Sequence, residues 1–254
     1  VFGPIVDEYR EFARHLQLDE VTAIPLSALR GDNMLEPSDR TPWYHGPTLL
    51  GYLETVDPSR HPQAAESFRL PVQWVNRPNL DFRGFAGTVA SGSVKPGDRI
   101  RVQPSGRESR VARIITADGD LPVAVAGQSV TLTLADEIDV SRGNVISRAE
   151  SPAEVADQFE ATLVWMAEEP MFPGRAYLLK IGTETVTATI TQPKYKLNVN
   201  TLEHLAARKL DLNEIGVCNI ALDRVIAFDP YEANRETGGF IRIERIRANG
   251  QIWL

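Results

Sequence analysis

The sequence is almost devoid of cysteine, which excludes one way of stabilising a fold. Cys218 is the only cysteine among 254 residues, so no disulfide framework can form within the chain. It stands in the apolar run IGVCNIAL, which predicts a buried, small hydrophobic side chain rather than a reactive thiol. This composition fits a reducing compartment, and we expect a cytoplasmic location.

Long apolar runs and an excess of positive charge are also missing. No apolar run approaches the roughly 20 residues that span a bilayer, so no membrane association is expected. The chain has 27 Lys and Arg against 34 Asp and Glu, a formal net charge of -7 at pH 7. Such a chain gains little from the release of counterions from phosphate backbones, so nucleic acid is not an expected partner.

Metal-ligating patterns are absent as well. None of the four histidines has a second histidine or a cysteine at ligand spacing. The stretch DEIDVSRG gathers Asp136, Glu137 and Asp139, but their spacing is not that of an EF-hand loop. Asp139 and Arg142 are better interpreted as a local ion pair. We therefore predict no metal site.

Catalytic pairs are equally hard to find. Glu168 and Glu169 are adjacent, and neighbours on a strand point to opposite faces, so they form a poor general acid/base pair. No G-x-S-x-G nucleophile motif occurs. We predict no catalytic residue in this chain.

What is present begins with a helical and apolar pattern over residues 1–57. Apolar side chains spaced by three or four predict a helix over 4–17, with Pro4 in its first turn. The short apolar stretch 21–26 predicts a buried parallel strand. A second helix is predicted over about 46–56, beginning at Pro47. This order indicates part of an α/β domain.

The pattern changes to short alternating strands later in the chain. Residues 58–67 contain two prolines and no periodicity, so they predict a linker. Period-two runs such as RIRVQ and SVTLTLA, separated by glycine-containing turns, predict antiparallel strands over 68–150 and again over 158–250. Residues 151–157 are expected to link these units. Closure into two β-barrels would remove the exposed strand edges.

Several stretches carry a family resemblance. GTVASGSVKPGDRI with DEIDVSRGNVI resembles the second domain of translational GTPases such as elongation factor Tu. VQWVNRPNLDFRGFAGTVASG, PWYHGPTLL, LVWMAEEP and RETGGFIRIERI resemble the GTPase subunit of bacterial sulfate adenylyltransferase. The resemblance implies a mixed fold, in which a truncated α/β G-domain remnant precedes two antiparallel β-barrels, termed barrel II (68–150) and barrel III (158–250).

The resemblance also implies a guanine-binding turn. Ser27, Ala28 and Leu29 match the family's fifth guanine-nucleotide motif, whose backbone N–H groups face the guanine carbonyl. Small residues allow this close approach, and a donor there favours guanine over adenine. A plain strand-to-helix turn is the alternative interpretation of the tripeptide alone. In the following RGD tripeptide, Gly31 is expected to permit positive φ, with Asp32 or Asn33 bonding local backbone.

The other guanine-nucleotide motifs do not occur. No phosphate loop or Asn-Lys-x-Asp sequence is present, and no Asp-x-x-Gly sequence precedes the fifth motif, although the family resemblance implies GTP and Mg²⁺ as cofactors of the complete protein. We therefore expect the chain to be a fragment that neither binds GTP tightly nor hydrolyses it alone.

The implied partner is the catalytic subunit of sulfate adenylyltransferase, acting in sulfate assimilation. NRPNLDFRGF predicts a contact to that partner or between domains, and its polar residues are Asn76, Arg77, Asn79, Asp81 and Arg83. An internal Asp81–Arg pair is the structural alternative. Two other functions stay open: a translation-type factor whose barrels bind tRNA, and a non-enzymatic β-barrel interaction module.

Overall fold

A computed structural model describes residues 1–15, 18, 21–56, 67–79 and 82–243. The chain divides into two compact units, Val1–His61 and Pro62–Leu254. All of the predicted linker 58–67 except Ser67 lies outside the described residues, as does Asp81. In the described part, none of the helices has the length and apolar character to cross a membrane.

Unit 1 contains the two predicted helices with shifted boundaries. Helix α1 is Phe2–His15 and α2 is Leu49–Thr55. Pro4 is therefore the third helical residue, still inside the first turn, where its missing N–H costs nothing. Ala13 is buried, whereas the other described apolar residues of the predicted face are exposed (Ile5, Tyr9 and Phe12).

Two predictions about unit 1 are wrong in detail. Residues 21–26 form no strand, because the described residues of unit 1 offer them no strand to pair with; the single bridge joins Ser27 to Asp32. Helix α2 begins at Leu49 rather than Pro47. Thr48 is its N-cap, and its hydroxyl accepts a hydrogen bond from the Gly51 N–H at 3.1 Å. A hydroxyl that binds a free N–H of the first turn fixes the helix start.

Barrel II confirms the predicted antiparallel strands. Its strands are β1 (Arg69–Pro71), β2 (Trp74–Asn76), β3 (Gly84–Thr88), β4 (Ser93–Val94), β5 (Arg99–Gln103), β6 (Arg107–Thr116), β7 (Gly119–Asp120), β8 (Ala124–Val125), β9 (Ser129–Leu134) and β10 (Val145–Arg148).

The main sheet of barrel II curls until its ends meet. The strand order is β1-β10-β5-β6-β9-β3-β2, with every pair antiparallel. The Arg69 N–H donates to Ser91 O at 3.1 Å, and Gln73 N–H donates to Ala86 O at 2.8 Å. These bonds join the β1 end to the β3 segment, which closes the barrel around a core that includes Phe68, Leu70, Ile100 and Leu132.

Barrel III is built around one long strand. It contains β11 (Glu154–Val164), β12 (Ala176–Ile181), β13 (Glu184–Ile190), β14 (Tyr195–Leu197), β15 (His204–Leu205), β16 (Ile215–Phe228), the one-turn helix α3 (Arg235–Gly238) and β17 (Phe240–Ile243). Strand β16 pairs with β11, β13 and β14. Strand β11 starts at Glu154, inside the stretch 151–157 predicted as a linker.

The cores of the two barrels are separate. Trp165, Met171, Leu179, Leu210 and Ile220 are buried together inside barrel III. The Phe240 ring of β17 lies 5.8 Å from the Phe159 ring of β11, so aromatic packing brings the last described strand back to the first.

Cys218 is fully buried in the barrel III core, as predicted. Burial raises the pKa of its thiol to about 11. At pH 8 the native chain should therefore react very slowly with a thiol-specific disulfide reagent, because thiolate is the reactive form. The urea-unfolded chain should react within minutes. Fast stoichiometric labelling of the folded protein would contradict the buried placement.

Candidate functional site

The Ser27–Leu29 segment forms a closed turn in unit 1. The Ser27 N–H donates to Asp32 O at 3.3 Å, and Ser27 O accepts from Gly31 N–H at 2.8 Å. Gly31 has φ +74°, a left-handed conformation that glycine adopts without strain. The prediction of a turn that uses Gly31 is confirmed.

The tip of this turn consists of two exposed residues. Ala28 and Leu29 are exposed, and Leu29 retains 94% of its accessible surface. Among the described residues, neither of their backbone N–H groups donates to a protein acceptor. The turn therefore has the geometry to donate to an external carbonyl oxygen, although its assignment to guanine stays a prediction.

The chain that leaves the turn is held at two places. The Ser38 hydroxyl donates to Asp32 Oδ1 at 2.6 Å, with Arg40 paired to the other carboxylate oxygen at 3.4 Å. Leu49 N–H donates to Asn33 O and Leu50 N–H donates to Met34 O, each at 2.9 Å. Two free N–H groups of the first turn of α2 are thereby satisfied. A hollow of about 580 Å³ opens beside this segment, lined by Gly31, Asp32 and residues 34–38.

The described residues of the NRPNLDFRGF stretch belong to the end of β2, the start of β3 and the chain next to these strands. Asn76, Arg77 and Asn79 are exposed, and Asp81 lies outside the described residues. Arg83 donates to Asp139 Oδ1 at 3.1 Å, and its guanidinium carbon lies 5.6 Å from the Phe85 ring centre. The structure thus holds one end of the stretch against the barrel. Its role as a contact surface stays a prediction.

Two carboxylates of DEIDVSRG, Asp136 and Asp139, have protein partners other than the one predicted. Asp139 binds Arg83, while Arg142 donates to Gln73 O at 2.7 Å, so the predicted Asp139–Arg142 ion pair is wrong. Asp136 accepts a hydrogen bond from the Ser109 hydroxyl at 2.8 Å. Within the described ranges, no three potential ligand side chains converge as a metal site would require.

Two further pairs of adjacent residues, Glu168–Glu169 and Gly238–Gly239, lie in barrel III. Glu168 and Glu169 are exposed in the loop after β11, and Glu169 lies 3.6 Å from Arg175. Gly238 is the last residue of the short helix α3, and Gly239 is its C-cap.

An unpredicted polar cluster, here termed the barrel junction, lies between barrels II and III. Arg69 of β1 and Asp229, which follows β16, are 5% and 7% exposed. The Arg69 Nε donates to Asp229 Oδ2 at 2.8 Å and its Nη2 donates to Oδ1 at 2.9 Å. This bidentate geometry is the strongest form of arginine–carboxylate pairing.

Further hydrogen bonds satisfy the buried pair from both barrels. Arg69 Nη1 donates to the carbonyl oxygens of Phe68 and Ser151 at 3.0 and 2.8 Å. The Thr237 hydroxyl donates to Asp229 Oδ2 at 2.7 Å. Asn234 Nδ2 donates to the Ser91 hydroxyl at 2.8 Å, joining barrel III to barrel II a second time. A buried charge pair is stable only when its remaining donors and acceptors are satisfied in this way.

The junction continues along the barrel faces. The Thr183 hydroxyl in the β12–β13 turn donates to Val72 O at 2.9 Å. Val145, Ala153 and Ala227 form a small shared apolar cluster. Barrels II and III are therefore joined by directional polar bonds as well as apolar contact, an arrangement that resists sliding.

Comparison with known proteins agrees with this architecture. The family model for elongation factor Tu domain 2 matches residues 86–147, and the model for the GTP-eEF1A C-terminal domain-like family matches residues 158–251. The crystal structure of sup35 complexed with GDP shares the fold, with a TM-score of 0.68 at 20% identity over 99% of this chain and 62% of that chain.

Closer relatives are known from sequence. The bifunctional enzyme NodQ of Rhizobium sp. (strain N33) is 51% identical over 247 residues, covering 97% of this chain and 38% of the relative. Sulfate adenylyltransferase subunit 1 of Aeromonas salmonicida is 48% identical over 246 residues, covering 97% of this chain and 52% of the relative. The chain spans about half or less of the length of these curated relatives. At this identity over nearly its whole length, the chain belongs to the family of sulfate adenylyltransferase subunit 1 and NodQ.

Proposed function

We propose that this chain acts within the GTPase subunit of a sulfate adenylyltransferase. There, GTP hydrolysis is coupled to the formation of adenosine 5′-phosphosulfate and pyrophosphate from ATP and sulfate on a separate catalytic subunit. The observation that carries the proposal is the 48% identity to sulfate adenylyltransferase subunit 1 of Aeromonas salmonicida over 97% of this chain.

In this proposal the Ser27–Leu29 turn reads the guanine base. The N–H groups of Ala28 and Leu29, which have no acceptor among the described residues, would donate to the guanine carbonyl oxygen. Adenine presents an amino group at that position, which would leave the donor unpaired. GTP and Mg²⁺ are the proposed cofactors of the complete protein. No residue of this chain is assigned to the metal, since the described side chains form no ligand cluster.

In this proposal, barrels II and III transmit the nucleotide-dependent change to the catalytic subunit. Coupling requires that GTP and GDP favour different arrangements of the complete protein, because a ligand shifts an equilibrium only through differential affinity. A change at the nucleotide can reach a partner only through elements that keep their shape. The bonds of the barrel junction, from Arg69 to Asp229 and from Asn234 to Ser91, support the idea that barrels II and III move together.

The proposed docking face for the catalytic subunit is the exposed surface of barrel II at β2 and the residues that follow it. Asn76, Arg77 and Asn79 lie there beside Trp74, which retains 66% of its accessible surface. Exposed aromatic and arginine side chains are enriched at the centres of protein interfaces. Asp81 and Arg83 complete the proposed contact stretch in sequence.

The test uses the complete natural protein and the catalytic subunit from the same source. The two should co-purify, and synthesis of adenosine 5′-phosphosulfate should rise when GTP is added. Reversing a charge on the docking face with Arg77→Glu should weaken the complex about tenfold or more, because like charges at an interface repel. Binding is measured by calorimetry or surface plasmon resonance.

A matched control is Arg208→Glu, which makes the same charge change at an exposed position of barrel III. Its affinity for the catalytic subunit should equal that of the wild type. Equal loss in both variants would point to a general charge effect and reject the docking face. Failure of the wild-type protein to bind the catalytic subunit, together with retention of aminoacyl-tRNA on filters at physiological salt, would favour a translation-type factor instead.

A further inference from the structure

Asn33 is the one buried polar residue in the described part of unit 1, at 2% exposure. It follows the Ser27–Asp32 turn directly, and its φ of +55° is left-handed. Asparagine tolerates this conformation better than most residues, but at some cost. A left-handed backbone and a buried amide at the same position indicate that the surrounding contacts hold Asn33 in place.

The side-chain amide of Asn33 bonds to two other segments, one before the turn and one after it. Its Nδ2 donates to Pro25 O at 2.6 Å and to the Thr41 hydroxyl at 2.8 Å. Its Oδ1 accepts the Ser38 N–H at 2.9 Å. Pro25 O can only accept and Ser38 N–H can only donate, so the partners fix the orientation of the amide.

These bonds hold the chain on both sides of the turn. Pro25 stands two residues before Ser27, and Asn33 stands four residues after Leu29. The Asn33–Pro25 bond therefore anchors the base of the turn, while Thr41 and Ser38 anchor the loop that follows. Without the amide, Ala28 and Leu29 would keep their sequence but lose a fixed position.

We propose that Asn33 is the positioning residue for the guanine-reading turn, so that base discrimination depends on its amide although it does not touch the nucleotide. The inference rests on the proposed function, because it presumes that Ala28 and Leu29 read guanine. An interaction that depends on donor placement loses strength when the donor moves by a fraction of a hydrogen-bond length.

The test compares two ligands on the complete natural protein. One is GDP, and the other is 2-aminopurine riboside 5′-diphosphate, which has the same ribose and phosphates but no carbonyl at position 6. Asn33→Gly keeps the left-handed backbone accessible and removes the amide. We expect the affinity for GDP to fall about tenfold, the worth of roughly one misplaced hydrogen bond, with the affinity for the analogue unchanged.

A second pair of variants keeps the test independent of Asn33 backbone effects. Thr41→Val removes one partner of the amide and should lower the GDP/analogue ratio in the same direction, whereas Thr41→Ser keeps the hydroxyl and should restore it. The matched control is Asn213→Gly in barrel III, another left-handed asparagine, at φ +63° and with an exposed side chain. It should leave both affinities unchanged. Circular dichroism verifies that every variant is folded.

The outcomes test guanine recognition by the turn separately from the positioning role of Asn33. If the wild-type protein does not prefer GDP to the analogue, the guanine-reading turn itself fails, and with it the proposed function of Ser27–Leu29. If the wild type discriminates and Asn33→Gly discriminates equally well, the turn stands and the positioning role is overturned. Equal losses of affinity for both ligands in folded Asn33→Gly also overturn it, because the phosphates rather than the base would then be affected.

Discussion

Asp229→Ala is expected to lower the free energy of unfolding of the two-barrel unit by about 3–5 kcal/mol, the usual result of removing one partner from a buried ion pair. The substitution leaves the Arg69 guanidinium buried without its carboxylate. It also removes the acceptor of the Thr237 hydroxyl. Urea denaturation followed by circular dichroism and tryptophan fluorescence measures the change.

Two comparisons isolate the cause. Asp120→Ala removes the carboxylate from an exposed ion pair with Arg113. It should leave the free energy of unfolding nearly unchanged, since exposed pairs contribute little. The double variant Arg69→Met, Asp229→Leu removes both charges and should recover most of the loss. If the single Asp229→Ala variant were as stable as the wild type, the buried junction would be wrong.

The second large effect is expected at Gly238. A Cβ atom there would lie 2.5 Å from Asp229 O and 2.7 Å from the backbone N and Cα of Tyr231. These are backbone atoms that no rotamer change can move aside, so α3 must shift away from the chain that carries Asp229. Gly238→Ala should therefore cost about 1–3 kcal/mol of unfolding free energy, as overpacked sites do. The measurement is the same urea titration.

The control for Gly238 is Gly3 of α1, where a Cβ atom would meet nothing within 4 Å. Gly3→Ala should not destabilise the protein, because alanine is the better helix former. A neutral Gly238→Ala would show that α3 packs less closely against Asp229 and Tyr231. Because Gly238 also precedes β17, hydrogen exchange of Phe240–Ile243 should quicken in this variant if the helix shifts.

The strands and turns were predictable because their signals are local. In β5 and β9 the apolar residues occupy every second position of a short stretch, and the turns between strands carry glycines. The Ser27–Leu29 turn was predictable for the same reason, as a short motif with Gly31 close behind. Even so, residues 21–26 carried a strand pattern and formed no strand, since a strand exists only when another strand accepts its hydrogen bonds.

The candidate contacts were less predictable. Asp139 has Arg142 three residues away, yet it binds Arg83, 56 residues away in sequence. Spacing along the chain predicted Arg142 as the partner of Asp139, but the curvature of barrel II brings Arg83 to this carboxylate instead. Asn33 had a weak signal, as a polar residue after a glycine turn. Its three amide partners, Pro25, Ser38 and Thr41, became apparent only in the folded loop.

The amino-acid sequence by itself determined the strand pattern, the two β-units, the buried cysteine and the family, because each is written in neighbouring residues or in a match along the whole chain. Tertiary structure alone decided that Arg69 meets Asp229, since these residues are 160 positions apart. One signal was visible: each charge stands beside apolar strand residues, in FRLPV and IAFDP. Burial forces such charges to find a partner, but only the packing of barrel II against barrel III determines which one.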